Sequence, residues 1–151
     1  MAVDQYRRSI ASAKAFSAAL EELGAEVATK VGVSANRRAA KVLQDRLVAT
    51  APYQNGQPKG ASARYGHLRD NIRIKKQKAA KQGHIVHFVT TGRAFWGKFL
   101  EYGTRRMRAR PWFRPVFEAN RDALLNAHID ELRTGIDHAA KRAARRAKRG
   151  L

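Results

Sequence analysis

Residues Phe95–Phe117 read FWGKFLEYGTRRMRARPWFRPVF. Seven of the chain's twelve aromatic side chains fall here, among five arginines, one lysine and a single acid, Glu101, so the stretch is either core or contact surface. Three kinds of surface share that composition: a base-stacking platform, an active site, and the centre of a protein–protein interface, where Arg, Trp and Tyr are enriched. Pro111 and Pro115 stiffen the backbone and withhold two N–H donors, which excludes a central β-strand. Phe95–Tyr102 therefore reads as one or two buried helical turns ended by Gly103. The stretch beyond is an extended lead into a last helix, with Pro115 in its first turn. Large aromatics are heavily buried on average, so at least one of Trp96 and Trp112 is expected in the core.

Downstream, Leu125, Ile129, Leu132, Ile136, Ala140 and Ala143 keep helical spacing. Gly135 within that helix costs about 1 kcal/mol relative to alanine, so packing has to carry it. Upstream, Ile72 and Ile74 alternate with charged residues over Asn71–Lys75, the pattern of a half-buried strand. Ile85–Val89 is β-branched and aromatic and reads as a second, more buried strand. The connection QKAAKQGH, with Gly83 near its end, suits an antiparallel hairpin. Before the strands, Thr50–His67 holds two prolines and three glycines without periodicity and reads as a mobile arm. The first fifty residues look helical in two pieces. Tyr6, Ile10, Ala13, Ser17, Leu20 and Leu23 mark the first, which Gly24 interrupts. Gly32-Val33 is read as a break, with Ser34 as N-cap of the second. Ala39, Val42, Leu43 and Leu47 form its buried face, and it ends before Pro52.

The fold class expected is α+β: N-terminal helices, a small antiparallel β-sheet and a long C-terminal helix packed on the sheet. One domain over residues 1–140 is expected, with the arm at about 50–67, followed by a basic tail at 141–151 that frays.

The net charge of +19 favours a polyanionic partner and keeps identical subunits apart until something offsets it. Residues 51–117 carry fifteen basic and two acidic side chains, and six basic residues lie between Lys141 and Arg149 with no acid among them. The charge is thus concentrated in the middle and at the C-terminal end. There are no cysteines, which removes disulfides and thiolate chemistry. No run of about 18 apolar residues exists, so no membrane span is expected.

An active site is poorly supported. His84 and His87, on one strand, point to opposite faces and share no metal there. Neither HExxH, a glycine-rich phosphate loop nor GxSxG occurs. Asp70 and Glu101, the carboxylates of the charged centre, are surrounded by arginines and read as members of structural ion pairs. No cofactor is expected. For nucleic acid the charge is right, but no sequence-reading motif supports it. Candidate contacts for DNA or for a protein partner are Arg105, Arg106, Arg108, Arg110 and Trp112, and Lys141, Arg142, Arg145, Arg146, Lys148 and Arg149 in the tail.

The order of four short motifs adds a resemblance. A helix ends in ATAP (Ala49–Pro52), GHLRDNI follows (Gly66–Ile72), and after the hairpin come FLEYGT (Phe99–Thr104) and ARPWFRPVF (Ala109–Phe117). This order resembles the neck or tail-completion proteins of long-tailed bacteriophages, a group related to the minor tail protein Z of phage lambda, and the match covers roughly residues 35–135. Matched onto that pattern are Pro52; Gly66, Leu68 and Ile72 at the lead into the first strand; Glu101, Tyr102, Gly103 and Thr104 at the turn; and Pro111, Phe113 and Pro115 before the last helix. Tyr65 and Asn71 depart from the usual Thr and Ser, and the stretch between Pro52 and Gly66 is longer than in compact members. The resemblance implies a non-enzymatic virion protein of the head–tail junction, assembled in the host cytoplasm. Its expected partners are neck or head-completion and tail-terminator proteins, further copies of itself in a ring, and genomic DNA without sequence preference. The alternative is a basic nucleic-acid-binding protein acting off the particle.

Overall fold

The computed structural model describes residues 24–53, 59–77 and 86–148. The helix expected over Tyr6–Leu23, the hairpin tip with Gly83 and His84, and Arg149 lie outside those residues. The described chain is α+β, with five helices and a two-stranded antiparallel sheet.

Helix α1 (Ala25–Thr50) begins directly after Gly24 and runs without interruption through Gly32-Val33-Ser34. The expected break there is not found. The reason lies in the partner helix: Val31 and Ala35, on either side of the supposed break, are buried, and packing outweighs the weak propensity of one glycine. The helix stops where expected, with Thr50 as its last residue and Ala51 extended ahead of Pro52. Of the stretch read as an arm, the described part includes one helical turn, α2 (Ala61–Tyr65). Tyr53, at its near end, lies 4.5 Å from the His67 ring and under the Arg69 guanidinium at 4.8 Å, so the two ends of that stretch meet.

A single 3₁₀ turn, Arg69–Asn71, leads into β1 (Arg73–Lys76), which pairs antiparallel with β2 (His87–Thr90). Ile74 faces Val89 across the ladder on the side toward α1, and Lys75 faces Phe88 on the open side. Phe88 is therefore exposed although the strand as a whole is the more buried of the two. Gln44 of α1 donates to the Ile72 carbonyl at 2.7 Å and ties the helix to the start of the hairpin.

Helix α3 (Trp96–Tyr102) follows, then α4 (Phe113–Ala119) and α5 (Arg121–Lys148). The last helix is thus two helices rather than one. Asn120 sits between them with φ −113° and ψ 9°, and its side-chain amide donates to the Val116 carbonyl at 2.8 Å. Helix α5 runs antiparallel along α1: Ser34 donates to Glu131 at 2.5 Å, and Val31 packs onto Gly135. A Cβ at position 135 would stand 2.7 Å from Val31 Cγ1, so the glycine that weakens the helix is what lets the two axes approach. Near the N-terminal end of α5, Leu124 joins the core close to Val89.

That core is Leu43, Leu47, Ala51, Leu68, Ile72, Ala94 and Trp112, drawn from α1, the 3₁₀ turn, the lead into α3 and the lead into α4. Leu47 is fully enclosed, and truncating such a residue to alanine costs about 2–5 kcal/mol.

Candidate assembly surface

The four motifs read from the sequence converge on this core. Leu68 and Ile72 are buried in it, Pro52 follows its Ala51, and Gly66 is the residue that ends α2. Asn71 is almost fully buried, and its amide donates to the Tyr65 carbonyl at 2.7 Å and the His67 carbonyl at 2.9 Å. Two bonds of this reach need a side-chain amide, which is the physical content of asparagine at this position. Leu68 in turn fills the space beside Gly97 in α3; a Cβ there would come within 2.9 Å of Leu68 Cδ1.

The second half of the arrangement centres on Glu101. At the C-terminal end of α3 its carboxylate accepts hydrogen bonds from three consecutive backbone N–H groups at the start of α4. Trp112 and Phe113 bond Oε2 at 2.8 Å each, and Arg114 bonds Oε1 at 3.1 Å. These are the N–H groups that a helix start leaves without internal partners, and an anion there also meets the positive end of the helix dipole. No residue adjacent in sequence caps α4; a glutamate eleven to thirteen residues upstream does it instead. Burial by itself would raise this carboxyl. The hydrogen bonds from Phe113, Trp112 and Arg114 and the positive charge of Arg114 outweigh it and hold the group below its ordinary value. Glu101 is thus a cap and not half of an ion pair, and its acceptor sites are engaged by backbone donors.

Between donor and acceptor the chain makes a tight excursion. Gly103 sits at φ +75°, and a Cβ there would lie 2.8 Å from both Ala109 N and Met107 O. Thr104 and Met107 exchange N–H···O bonds of 2.8 and 3.2 Å, and Arg110 N–H returns to the Leu100 carbonyl at 2.8 Å. The excursion closes on Trp112, which is buried and donates its indole N–H to the Gly97 carbonyl at 3.2 Å. Phe113 is half-buried at the first position of α4, and Pro115 stands two residues on, where no N–H is required.

What this clasp presents outward is an arginine loop. Arg105, Arg106, Arg108 and Arg110 are all exposed, with Pro111 beside them. On α3, Phe95, Phe99 and Tyr102 recur at helical spacing and are 50%, 46% and 72% exposed, with the Phe95 and Phe99 rings edge to face at 5.9 Å. Phe117 of α4, also exposed, borders a cleft of about 410 Å³ whose wall includes Tyr102, Trp112 and Phe113. Aromatic and apolar surface flanked by arginine is the composition of interface cores. Trp112, a candidate contact residue in the sequence, is a buried strut of the clasp and is thus the tryptophan found in the core.

The basic C-terminal segment is not part of this surface. The pairing of Val31 with Gly135 places Lys141, Arg142 and Arg145 near or beyond the N-terminal end of α1. All three are exposed; Arg146 and Lys148 lie in the same helix. At about 1.5 Å rise per residue, they are some 30 Å along α5 from its junction with α4.

A second basic cluster escaped the sequence. Arg37, Arg38 and Lys41 of α1 and Arg73 and Lys76 of β1 line a groove with His87 of β2. The signal available was the Arg37-Arg38-Lys41 spacing on one side of a helix, but its other wall comes from a hairpin whose position the sequence does not state.

With this geometry in hand, a family model described as "Bacteriophage HK97-gp10, putative tail-component" matches residues 14–103, more than half of the chain. No curated protein and no solved structure matches.

Proposed function

The chain belongs to the HK97-gp10-like family of bacteriophage tail components, and from that membership we propose that it completes the tail at the head–tail junction, as one subunit of a ring. Its role is structural and its contacts are with other virion proteins. The observation that carries the reading is the clasp. Glu101, Gly103 and Trp112 fix an arginine loop rigidly beside an exposed aromatic face, which is how a fold presents a contact surface.

In this reading the aromatic face of α3 and the arginine loop meet the neighbouring subunit or the adjoining neck and terminator proteins. The exposed Lys141, Arg142 and Arg145 face genomic DNA in the channel. The self-repulsion of a +19 chain keeps it monomeric until acidic neighbours offset the charge.

The purified protein is mixed with the head-completion and tail-terminator proteins of its own phage, and complex size is followed by light scattering at physiological salt. Formation of a discrete higher-order complex is expected. A protein that ignores both partners yet binds duplex DNA with a steep salt dependence is instead the free nucleic-acid binder.

A further inference from the structure

We propose that the groove between α1 and the β1–β2 hairpin is a docking site for an acidic segment of a partner protein. The groove encloses about 860 Å³, and its cations come from two elements: Arg37, Arg38 and Lys41 from the helix, Arg73 and Lys76 from the first strand. Lys41 is held by Asp45 one turn on. The other four have no carboxylate partner among the described residues, and all four are exposed. The one acid in the lining, Glu131 of α5, already accepts the Ser34 hydroxyl. Three of these cations, Arg37, Arg38 and Lys76, border a concavity whose one carboxylate among the described lining residues is engaged, and Arg73, beside Ile74 in β1, alternates to the other face and stands at the groove's edge.

His87 reports on the field inside. It stands opposite Lys76 in the ladder, on the face turned to α1, and its Nδ1 is enclosed without a hydrogen-bond partner. Burial first, then the charges of Lys76 and Arg37, push its pKa down. Glu131 is the one opposing charge among the described residues of the groove wall. An anion in the groove opposes the effect of the two cations.

The chemistry of the walls selects among anions. Val33 and Ile74 supply apolar wall, and no Phe, Tyr or Trp is among the described lining residues, where His87 is the one ring and its Nδ1 is enclosed. A concave site with an apolar wall and a basic rim is complementary to a carboxylate-bearing peptide segment with aliphatic residues between its acids. The inference goes beyond the junction reading. It is tested on the isolated protein, so its failure leaves that reading standing.

The test titrates the full chain with an oligoglutamate peptide and, separately, with a short DNA duplex at physiological salt. Arg37→Gln/Arg73→Gln/Lys76→Gln is compared with the charge-matched Arg105→Gln/Arg106→Gln/Arg108→Gln. The groove variant is expected to lose about tenfold or more in peptide affinity and the loop variant about twofold or less. Equal losses reduce the effect to net charge and overturn the proposal. A larger loss for duplex than for peptide in the groove variant makes the groove a nucleic-acid site and overturns it too. A second readout needs no substitution: the His87 imidazole is followed by NMR through a pH titration, and saturating peptide is expected to raise its midpoint. An unmoved midpoint contradicts docking in the groove.

Discussion

Glu101→Ala removes a carboxylate that serves three N–H groups at once, and the cost can be worked from the geometry. The donors of Trp112 and Phe113 lie in buried or half-buried surroundings at 2.8 Å, and that of Arg114 is longer and nearer solvent. A buried donor left unpaired costs about 1–3 kcal/mol, and losing a negative charge at a helix N-terminus about 0.3–1 kcal/mol. Counting the two shorter bonds and the dipole term, the sum is about 2–7 kcal/mol. That is a large share of the about 5–15 kcal/mol that holds a domain together. Glu101→Gln keeps one acceptor and turns an amide NH₂ toward the remaining donor, so its cost is smaller, about 1–3 kcal/mol. The assay is urea unfolding followed by circular dichroism, with the slope checked against wild type. The pH dependence has a definite sign. The folded carboxyl is held below its ordinary value near 4.5, so its contribution is complete above that value and is lost as pH falls through the lower folded value. The gap between wild type and Glu101→Gln is therefore constant from neutral pH to about 5 and narrows below the ordinary carboxyl range. A Glu101→Ala protein within about 0.5 kcal/mol of wild type, the range of ordinary surface changes, refutes the capping argument.

Gly103→Ala places a Cβ at φ +75° against two backbone atoms at 2.8 Å, and a destabilisation of about 2 kcal/mol or more is expected in the same unfolding assay. Gly135→Ala gains about 1 kcal/mol of helix propensity but drives its methyl to 2.7 Å from the buried, stiff Val31, so a net loss is expected. Val31→Ala/Gly135→Ala relieves the clash and falls short of the sum of the two single losses, a coupling that a double-mutant cycle reads directly. Arg105→Gln/Arg106→Gln/Arg108→Gln, all exposed, leaves the unfolding midpoint within about 0.5 kcal/mol of wild type while weakening complex formation with neck proteins.

The parts of the fold legible in the sequence were those written in local pattern. The antiparallel hairpin follows from alternation at Ile72 and Ile74 and a β-branched run, and the helix end before Pro52 follows from backbone sterics. The resemblance to phage tail proteins rests on the order of short motifs, none of them telling alone, and the family match over residues 14–103 spans the first two and nearly all of the third. What was misread depended on a distant partner. Gly32 looks like a break until α5 packs along α1, and Glu101 looks like an ion-pair member until the start of α4 is folded over it. The groove was invisible for the same reason: its cations are separated by some thirty residues and meet only through the hairpin's seating on α1. Asn120 hid its break because its neighbours on both sides are helical in pattern, and only its own backbone angles and amide bond part the two helices.

The central claim is placement at the head–tail junction. The phage that encodes this chain is grown with the protein absent, and the lysate is imaged by electron microscopy. The account predicts packed heads and tails of full length that fail to join, with joining restored when purified protein is added. Particles that assemble and infect normally, or lysates that contain no tails at all, contradict it.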